Sequence, residues 1–523
     1  MAKNNDKPCE CKLIDKPIYN NNKHYHIDLK QRPKILNNIV EAIGNTPLVR
    51  LNSIGKKDGI NCEILVKCEF LNPGGSVKDR IAHRMIQGAE REGILNKGDT
   101  IIEATSGNTG IGLALVSRVK GYKCTIVLPE KMSQEKINVL KALGADIIRT
   151  RTSAKFDDDD SHIEIAKRIR DKDPKHIHLL DQYANIYNPL VHYDLTGEEI
   201  IRDCGDKAPD MVVISSGTGG TLTGVAAKVK SVYPKCIVVG VDPGGSILAD
   251  KHSNITDEIK NQVSGYDIEG IGYDFYPNVF DDKNVDMWVK SYDKESFAMA
   301  RRLINEEGIL AGGSCGSVMY GALVALKKFN WGPDKRVVVL LADSVRNYMT
   351  KFLLDDWLVS KGHRDLPRNN ISERFSNISL KDTNSKNNGI RNSLKKPLVF
   401  SPEQTISNVL AILKEKNIPL LGGVGIVTEN AKYGPDATVL GIVDCRKMTK
   451  SLLMNLSSED KPISTVMDKE YRYVSENQTE DDILKILILE TYCLVKTLEG
   501  KSLKFIYWIL KLLSKIFFGI LNI

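Results

Sequence analysis

The most regular feature of the chain is an alternation, over residues 33–363, of short apolar runs with segments whose apolar residues recur at helical spacing. The runs are rich in Ile and Val and largely continuous, which is typical of strands buried on both faces of a sheet. Alternating strands and helices predict an α/β fold of parallel sheets covered by helices. The predicted strands are EILVKCEF, TIIEAT, KCTIVLP, ADIIRT, HIHLLDQ, DMVVISS, KCIVVGVD and RVVVLLAD.

The pattern changes after residue 363. Residues 364–392 are polar and without periodicity, which predicts a linker. In residues 393–523, SPEQTISNVLAIL and SENQTEDDILKIL share Ser, Gln, Thr and Leu positions in register, so we predict two copies of one unit. The first copy continues into a hairpin-like segment ending in LGIVDCRKM. The second copy lacks that ending, and we expect it to be divergent or incomplete.

The C-terminal run SLKFIYWILKLLSKIFFGILNI is about long enough to span a bilayer. However, Lys504, Lys511 and Lys515 fall on one face of a helix. The run therefore predicts a core or amphipathic helix, and we expect no membrane span.

The charge and the cysteine distribution of the chain bear on its partners and its location. The net charge of +7 is spread along 523 residues, which argues against a nucleic-acid partner. The ten cysteines are scattered, and the N-terminus MAKNNDKPCE has no apolar segment of the kind found in secretory signals. We expect a cytoplasmic protein in a reducing compartment.

Four Gly-rich turns stand where apolar runs pass into helices, the position at which α/β sheets bind ligands. In NPGGSVKDR, Lys78 opens a helix and is suited to form a Schiff base with an aldehyde cofactor. In AGGSCGS, Ser314 supplies a hydroxyl. Two further turns expose backbone N–H groups that bind anions. The first of them comprises Thr105, Ser106, Gly107, Asn108 and Thr109. The second comprises Gly217, Thr218, Gly219, Gly220 and Thr221.

The second of these anion-binding turns has neither a Gly-Lys-Ser/Thr ending nor dinucleotide spacing, so a phosphate monoester is the better guest. Each turn alone is also compatible with an ordinary structural turn. Together they supply a lysine, a carboxylate cradle, a phosphate cradle and a hydroxyl. That set suits pyridoxal phosphate with an amino acid.

Five motifs in this order, IGNTPLVRL, NPGGSVKDR, TSGNTGIGLA, SSGTGGTLTG and GGSCGS, resemble the fold-type II pyridoxal-phosphate enzymes. Within that group, LPEKMSQEK, HYDLTGEEI, EGIGYDF and DSVRNYMTKFL are similar to the cystathionine β-synthase family across residues 33–363. The resemblance implies condensation of L-serine with L-homocysteine by a homodimer or higher homo-oligomer. It further implies that residues 393–523 form a paired Bateman-type module, which binds S-adenosylmethionine in vertebrate relatives; the divergent second copy argues against that activation here.

The resemblance also implies a role for each matching residue. Lys78 matches the Schiff-base lysine and catalytic base. For the cofactor, Asn108 matches the residue that binds the ring hydroxyl, Ser314 matches the partner of the pyridine nitrogen, and the phosphate loop is matched by Gly217, Thr218, Gly219, Gly220 and Thr221. The pocket for the substrate carboxylate is matched by Thr105, Ser106, Gly107, Asn108, Thr109 and Gln182. Tyr273 matches a residue on the substrate side of the site.

The leader, residues 1–32, groups Cys9, Cys11, His24 and His26, a set whose chemistry alone allows zinc or no metal at all. Animal members of the resembled family carry haem b in this leader. The resemblance implies Cys11 and His24 as axial ligands, with the same C-x₁₂-H spacing. Family members usually place an arginine after the phosphate loop near the haem thiolate, where this chain has Ala227.

Three other activities remain open from the sequence. A cysteine synthase, which joins O-acetylserine and sulfide, shares the loops around Lys78 and Asn108. A threonine dehydratase is more distant. A catalytically silent metabolite sensor would depend on the C-terminal repeat alone.

Overall fold

A computed structural model describes residues 24–105, 107–130, 132–151, 158–250 and 264–364 continuously. It also describes residues 13–14, 16, 19, 394–395, 398–415, 424–428, 439–444, 462, 464, 473–475, 493–496 and 503–506. The chain divides into two compact units, Met1–Leu354 and Asp355–Ile523.

The first unit is built on a six-stranded sheet with the order β1-β2-β10-β7-β8-β9. Strands β2, β10, β7, β8 and β9 are parallel, and β1 pairs with β2 in the antiparallel direction. These strands are β1 (Leu48–Arg50), β2 (Glu63–Cys68), β7 (Met211–Ser215), β8 (Ile237–Pro243), β9 (Met287–Ser291) and β10 (Arg336–Leu341).

A second, fully parallel sheet of the same unit has the order β5-β4-β3-β6. Its strands are β3 (Thr100–Ala104), β4 (Lys123–Pro129), β5 (Asp146–Thr150) and β6 (Ile177–Leu179). The helices of this unit are α1 (Ile54–Lys57), α2 (Lys78–Arg91), α3 (Asn108–Lys120), α4 (Gln134–Ala142), α5 (His162–Arg170), α6 (Tyr187–Val191), α7 (Glu198–Cys204), α8 (Gly220–Val232), α9 (Asp293–Glu307) and α10 (Gly313–Leu326). A π-helix, His192–Gly197, joins α6 to α7.

The two sheets confirm the predicted class, because both are parallel through their interiors and carry helices. Strand β7 is buried at every position, and the interior of β10 is buried as well, which explains their unbroken Val and Ile runs. All eight predicted strands occur. Helix α10 is apolar on nearly all sides and packs in one core cluster with β7, β8 and β10.

Two strands were missing from the sequence prediction. Strand β1 is only three residues long and largely exposed. Strand β9 contains Lys290, whose charge interrupts the apolar run of its sequence. Lys290 is nevertheless buried, with its Nζ 2.8 Å from Asp242 Oδ2 and 3.0 Å from Asp250 Oδ1. A charge compensated by distant carboxylates cannot be distinguished locally from a surface lysine.

In the second unit, two sheets share one pattern of pairing. β12 pairs in parallel with β13, and β13 pairs antiparallel with β14. In the other sheet β15 pairs in parallel with β16, and β16 pairs antiparallel with β17, which also pairs with β11. The elements are α11 (Asp355–Ser360), β11 (Leu394–Lys395), β12 (Leu398–Phe400), α12 (Ile406–Glu415), β13 (Val424–Thr428), β14 (Val439–Asp444), β15 (Tyr473–Ser475), β16 (Cys493–Lys496) and β17 (Leu503–Ile506).

This pairing corrects the helix predicted for the C-terminal run, because its first part forms β17. Leu503–Ile506 is extended because it pairs with β16. The helical spacing of the lysines could not reveal this pairing, because β16 is a separate segment of the chain. The rest of the run, and most of the predicted linker 364–392, lie outside the described residues. Among the described residues, none of the helices has the length and apolar character needed to cross a bilayer.

Buried charges fix the start of α2. The Arg80 guanidinium lies 2.6 Å from Glu69, in the turn after β2, and 2.7 Å from Glu199 of α7. Lys67 of β2 adds a contact of 2.8 Å to Glu199. Burial opposes ionisation of both carboxyls, but the two cations outweigh it and lower the pKa of Glu69 and of Glu199. The network therefore ties β2, its following turn, α2 and α7 together.

We predict that Arg80→Met destabilises the first unit by about 3–5 kcal/mol, because it leaves two carboxylates buried without their cation. Denaturant unfolding monitored by tryptophan fluorescence measures the loss. The matched control is Arg50→Met, which removes an exposed pair with Glu63. That control should cost less than about 1 kcal/mol. Equal costs for the two variants would contradict the network's role.

Candidate active site

Most of the predicted site residues come from turns at the carboxyl ends of parallel strands in both sheets. Lys78 is the first residue of α2 and follows β2 after a short 3₁₀ turn. Its side chain lines a small cavity. The same cavity is lined by Val77, Ser215, Gly217, Thr218, Gly219, Thr221, Leu222, Gly270, Ile271, Leu340 and Ala342. Lysine and predicted phosphate cradle thus share one cavity.

A larger cleft of about 320 Å³ near Ala89 and Tyr187 contains none of the predicted groups. The smaller cavity is the candidate active site because it holds the predicted lysine, which is buried. Burial lowers the pKa of the Lys78 amine to about 8, against the opposing charge of Asp343. A larger fraction of the amine is therefore neutral near neutral pH than for an exposed lysine, and neutral amines are the nucleophilic form.

The turn after β7 is shaped to receive an anion. Gly219 has a φ of +87°, which favours glycine, and α8 begins at the next residue, so its N-terminal N–H groups border the cavity. A Cβ on Gly217 would lie 2.5 Å from the Gly270 carbonyl oxygen. A Cβ on Gly220 would lie 2.0 Å from Asn188 Oδ1. The loop therefore packs against Gly270 and Asn188 as only glycine permits, and its helix N-terminal N–H groups suit the phosphate of pyridoxal phosphate.

The turn after β3 forms a second cradle at the start of α3. Gly107 has a φ of +121°, and its N–H donates to Thr105 Oγ1 at 3.1 Å. Thr109 Oγ1 donates to Gln182 Oε1 at 2.7 Å, which joins this turn to the segment after β6. The structure therefore brings together the residues predicted for the substrate carboxylate, except Ser106, which lies outside the described residues.

Gln182 is fixed by groups that the sequence analysis missed. Its Nε2 donates to the Ala104 carbonyl at 2.8 Å, and its backbone N–H donates to Glu103 Oε1 at 3.1 Å. Glu103 also accepts from the Asp181 N–H. Burial, with the charge of Asp181, raises the pKa of the Glu103 carboxyl well above its usual range. The predicted strand TIIEAT contains Glu103, but only the fold shows which backbone N–H groups this residue binds.

Asn108, the first residue of α3, is held between two side chains. Its Nδ2 donates to Asp343 Oδ2 at 2.9 Å, and its Oδ1 accepts from Asn347 Nδ2 at 3.1 Å. Burial raises the pKa of the Asp343 carboxyl, although the charge of Lys136 opposes the shift. Asp343 also went unpredicted, despite the signal of an acidic residue two positions after the buried strand β10.

Ser314 is buried at the second position of α10, but the predicted strand before it is absent. Ala311 forms only an isolated bridge with Ser344, because α9 ends shortly before α10 begins. The neighbouring Cys315 thiol donates to the Asp343 carbonyl oxygen at 3.3 Å. Ser314 is therefore placed by the same segment that holds Asn108.

Tyr273 belongs to an aromatic cluster with Tyr183 and Phe275. The Tyr273 and Tyr183 rings meet edge to face with centroids 5.5 Å apart, and their hydroxyl oxygens are 3.4 Å apart. Phe275 lies 5.3 Å from the Tyr183 ring. Because Tyr183 follows Gln182 directly, the cluster adjoins the carboxylate-binding turn. Tyr183 is a further residue that the sequence analysis missed.

The chain is similar in sequence and in fold to several known proteins. Residues 39–343 match the family described as pyridoxal-phosphate dependent enzyme. The chain is 46% identical to cystathionine beta-synthase of Mus musculus, over 90% of this chain and 80% of the mouse protein. It is 52% identical to the Dictyostelium discoideum enzyme of that name, over 76% of each chain. An O-acetylserine dependent cystathionine beta-synthase from Helicobacter pylori superposes with a TM-score of 0.55 at 33% identity, covering 61% of this chain and 99% of that one.

The chain belongs to the cystathionine beta-synthase family. It is a pyridoxal-phosphate dependent enzyme, and the α/β architecture is that of the family's fold-type II members.

Outside the candidate cavity of this cystathionine beta-synthase family member, several described residues of the leader are buried within the first unit. Leu13 and Ile14 are buried in the core cluster that includes α2 and α3. His24 is only 3% exposed. His26 Nδ1 lies 2.5 Å from Asp194 Oδ1, on the π-helix. Cys11, Cys9 and most of the leader lie outside the described residues.

Ala227, which stands where the family resemblance implies an arginine, packs against the core cluster that contains the buried leader residues. Its neighbour Lys228 pairs with Glu198 Oε2 at 2.7 Å. The lysine beside Ala227 is therefore already engaged with a carboxylate on α7.

The phosphate cradle yields a prediction that does not alter any reactive side chain. Gly217→Ala should raise the dissociation constant for pyridoxal phosphate by about tenfold or more, because its Cβ would overlap the Gly270 carbonyl and displace the loop. Fluorescence titration of the apoenzyme measures it. Gly265→Ala, which meets open space, is the control. Unchanged affinity in Gly217→Ala would show that the loop does not hold the cofactor.

Proposed function

We propose that this protein catalyses a β-replacement in which the hydroxyl of L-serine is displaced by the thiolate of L-homocysteine, giving L-cystathionine and water. The observation that carries the proposal is the buried Lys78 amine in the same cavity as the phosphate cradle. The 46% and 52% identity to proteins named cystathionine beta-synthase supports the substrate pair.

Each part of the cofactor would have its own protein contact. Gly217, Thr218, Gly219, Gly220 and Thr221 would hold the phosphate, and Asn108 would donate to the ring hydroxyl. The Ser314 hydroxyl would face the pyridine nitrogen. Because serine is neutral, it would not stabilise a protonated ring, which suits elimination better than transamination. When bound, pyridoxal phosphate supplies an electron sink for charge developing at the substrate α-carbon.

The substrate carboxylate would bind at the start of α3. Backbone N–H groups of the Thr105–Thr109 turn are available there, and Gln182 holds the Thr109 hydroxyl at 2.7 Å so that the turn keeps its shape. This placement would direct the amino group and α-carbon of serine towards Lys78. The Tyr273 and Tyr183 cluster would border the side on which the second substrate enters.

Lys78 would perform the proton transfers. The free Lys78 Nζ would take the α-proton of bound serine and pass a proton to the β-hydroxyl, which leaves as water. Its pKa of about 8 favours this role, because the neutral amine accepts a proton while its conjugate acid remains able to donate one. The homocysteine thiolate would then add at the β-carbon.

Lys78→Ala should lose turnover of serine with homocysteine by about 10² to 10⁴-fold or more, because it removes the proton-transfer group. It should also lose the visible absorption band of lysine-bound cofactor. Lys56→Ala, an exposed lysine on α1, is the control and should retain both signals. A retained absorption band in Lys78→Ala would refute the assignment.

The donor substrate distinguishes two family activities. We expect serine plus homocysteine to be converted faster than O-acetylserine plus sulfide, measured as kcat/KM on the same preparation. The alternative donor deserves a direct assay because the similar Helicobacter pylori enzyme is described as O-acetylserine dependent. Faster conversion of O-acetylserine plus sulfide would identify a cysteine synthase instead. No turnover with either pair would favour the metabolite sensor.

We further propose that Cys11 and His24 hold haem iron as axial ligands. The C-x₁₂-H spacing supports the pair, and so does the burial of His24 and of Leu13 and Ile14 beside Cys11. Thiolate and imidazole are both established haem ligands. The role would be structural or regulatory, because Lys78 and its cavity carry the chemistry.

Cys11→Ala should remove the low-spin Soret band of purified protein, whereas Cys9→Ala should retain it. Absorption spectra of the oxidised and reduced forms, with haem quantified chemically, provide the measurement. An unaltered Soret band in Cys11→Ala would exclude Cys11 as a ligand. Loss of haem in both variants would mean that the leader as a whole, rather than this thiolate, retains the group.

Resemblance to the same family also suggests the oligomeric state, the C-terminal module and the location of the protein. We propose a homodimer or larger homo-oligomer, a paired regulatory module in residues 393–523, and a cytoplasmic location. The repeated strand pairing of the second unit supports a paired module. The buried cysteines described by the structure are not joined in disulfides, which supports a reducing compartment.

A further inference from the structure

His192 is the first residue of the π-helix that precedes α7, and its side chain faces the phosphate loop. Its side chain is fully buried, with 0% exposed. Nε2 lies 3.1 Å from Thr221 Oγ1, in the first turn of α8, and Nδ1 lies 2.9 Å from Thr196 Oγ1, on the π-helix. The ring therefore joins two hydroxyl groups, one of which belongs to the phosphate loop.

Packing around His192 leaves little freedom. A Cβ on Gly224 of α8 would lie 2.2 Å from the Pro189 carbonyl oxygen and 2.8 Å from the His192 Cβ. The helix and the segment carrying the imidazole are thus in backbone contact, which fixes the His192 Cβ relative to Thr221. Its two nitrogens are held at hydrogen-bond distance from these hydroxyls.

The imidazole is neutral at physiological pH. Burial, together with the positive charges of Arg80 and Lys78, holds the pKa of His192 well below its usual range. A neutral ring has one N–H donor and one acceptor nitrogen. His192 therefore donates a hydrogen bond to one of the two hydroxyls and accepts a hydrogen bond from the other.

The choice of tautomer decides what Thr221 can do. With the hydrogen on Nδ1, Nε2 would accept the Thr221 hydroxyl hydrogen, which could then not reach an anion. With the hydrogen on Nε2, His192 donates to Thr221 Oγ1, and the Thr221 hydrogen is directed elsewhere. Thr196 can donate its hydroxyl hydrogen to Nδ1, which completes this second arrangement.

We propose that His192 is a positioning residue that, as the Nε2–H tautomer, donates to Thr221 and thereby directs the Thr221 hydroxyl towards the cofactor phosphate. The inference rests on the proposed function, in which this loop holds the phosphate. It assigns to the π-helix a role in cofactor binding through Thr196 and His192.

Matched variants separate this role from simple packing. His192→Leu removes both nitrogens, whereas His192→Gln retains an amide N–H₂ that can reach the position of Nε2. Thr196→Val removes the donor to Nδ1 but leaves the imidazole. Thr221→Val removes the hydroxyl that would contact the phosphate. The measurements are the ³¹P resonance of the bound cofactor in the holoenzyme and the pyridoxal phosphate dissociation constant.

We expect Thr221→Val and His192→Leu to shift the ³¹P resonance in the same direction and to raise the dissociation constant about tenfold. His192→Gln should stay within about threefold of the wild-type value. Thr196→Val should give an intermediate shift, because the tautomer is no longer enforced. A wild-type resonance in His192→Leu, or equal effects of His192→Gln and His192→Leu, would overturn the inference.

The controls distinguish two kinds of failure. If Thr221→Val leaves both measurements unchanged, the assignment of the phosphate loop itself is wrong. If Thr221→Val alters both and His192→Leu alters neither, only the role of His192 is wrong. Should His192→Leu fail to fold, ¹⁵N NMR of histidine-labelled wild-type protein decides the tautomer. We expect a protonated Nε2 and an unprotonated Nδ1 for His192, and the reverse pattern would contradict the proposal.

Discussion

The buried ion-pair network around Arg80 is the constraint on which the site depends. Lys78 lies two residues before Arg80 at the start of α2, so the contacts of Arg80 with Glu69 and Glu199 also fix the first turn that carries the lysine. Taking these charges out of water is costly, and the cost is offset only when all partners are in place. Because all of these ion pairs must form together, the N-terminus of α2 has one position in the fold. The position of the Lys78 amine is therefore set by residues that contact no substrate.

Low polarity around Lys78 follows from the same packing. The parallel strands β2, β7 and β10 end together, and their apolar side chains exclude water beneath the cavity. This burial favours the neutral amine, while backbone N–H groups at the starts of α3 and α8 remain available for anions. One arrangement of strands and helix termini thus provides both a buried lysine suited to act as a nucleophile and two turns suited to bind anions. Neighbouring side chains then fix the polar groups, as Gln182 does for Thr109 and Asp343 does for Asn108.

The sequence was most informative where structure is local. The eight strands with unbroken apolar runs, the helix start at Lys78 and the glycine turns depend on residues close together in the chain, and these were predicted. Strand β9 was missed because Lys290 is compensated by carboxylates far away in sequence. The helix predicted for Leu503–Ile506 was wrong because pairing with β16 decides its conformation. Asp343, Glu103, Tyr183 and His192 were missed because each acts through a partner that only the fold brings near.

The central claim is that Lys78, alone among the lysines of the chain, carries the cofactor. The most direct measurement is borohydride reduction of the purified holoenzyme, followed by proteolysis and mass spectrometry of the peptides. We predict that the reduced pyridoxyl group is found on the peptide containing Lys78 and on no other lysine. A label on a different lysine, or a stoichiometric cofactor that cannot be fixed by reduction, would contradict the account.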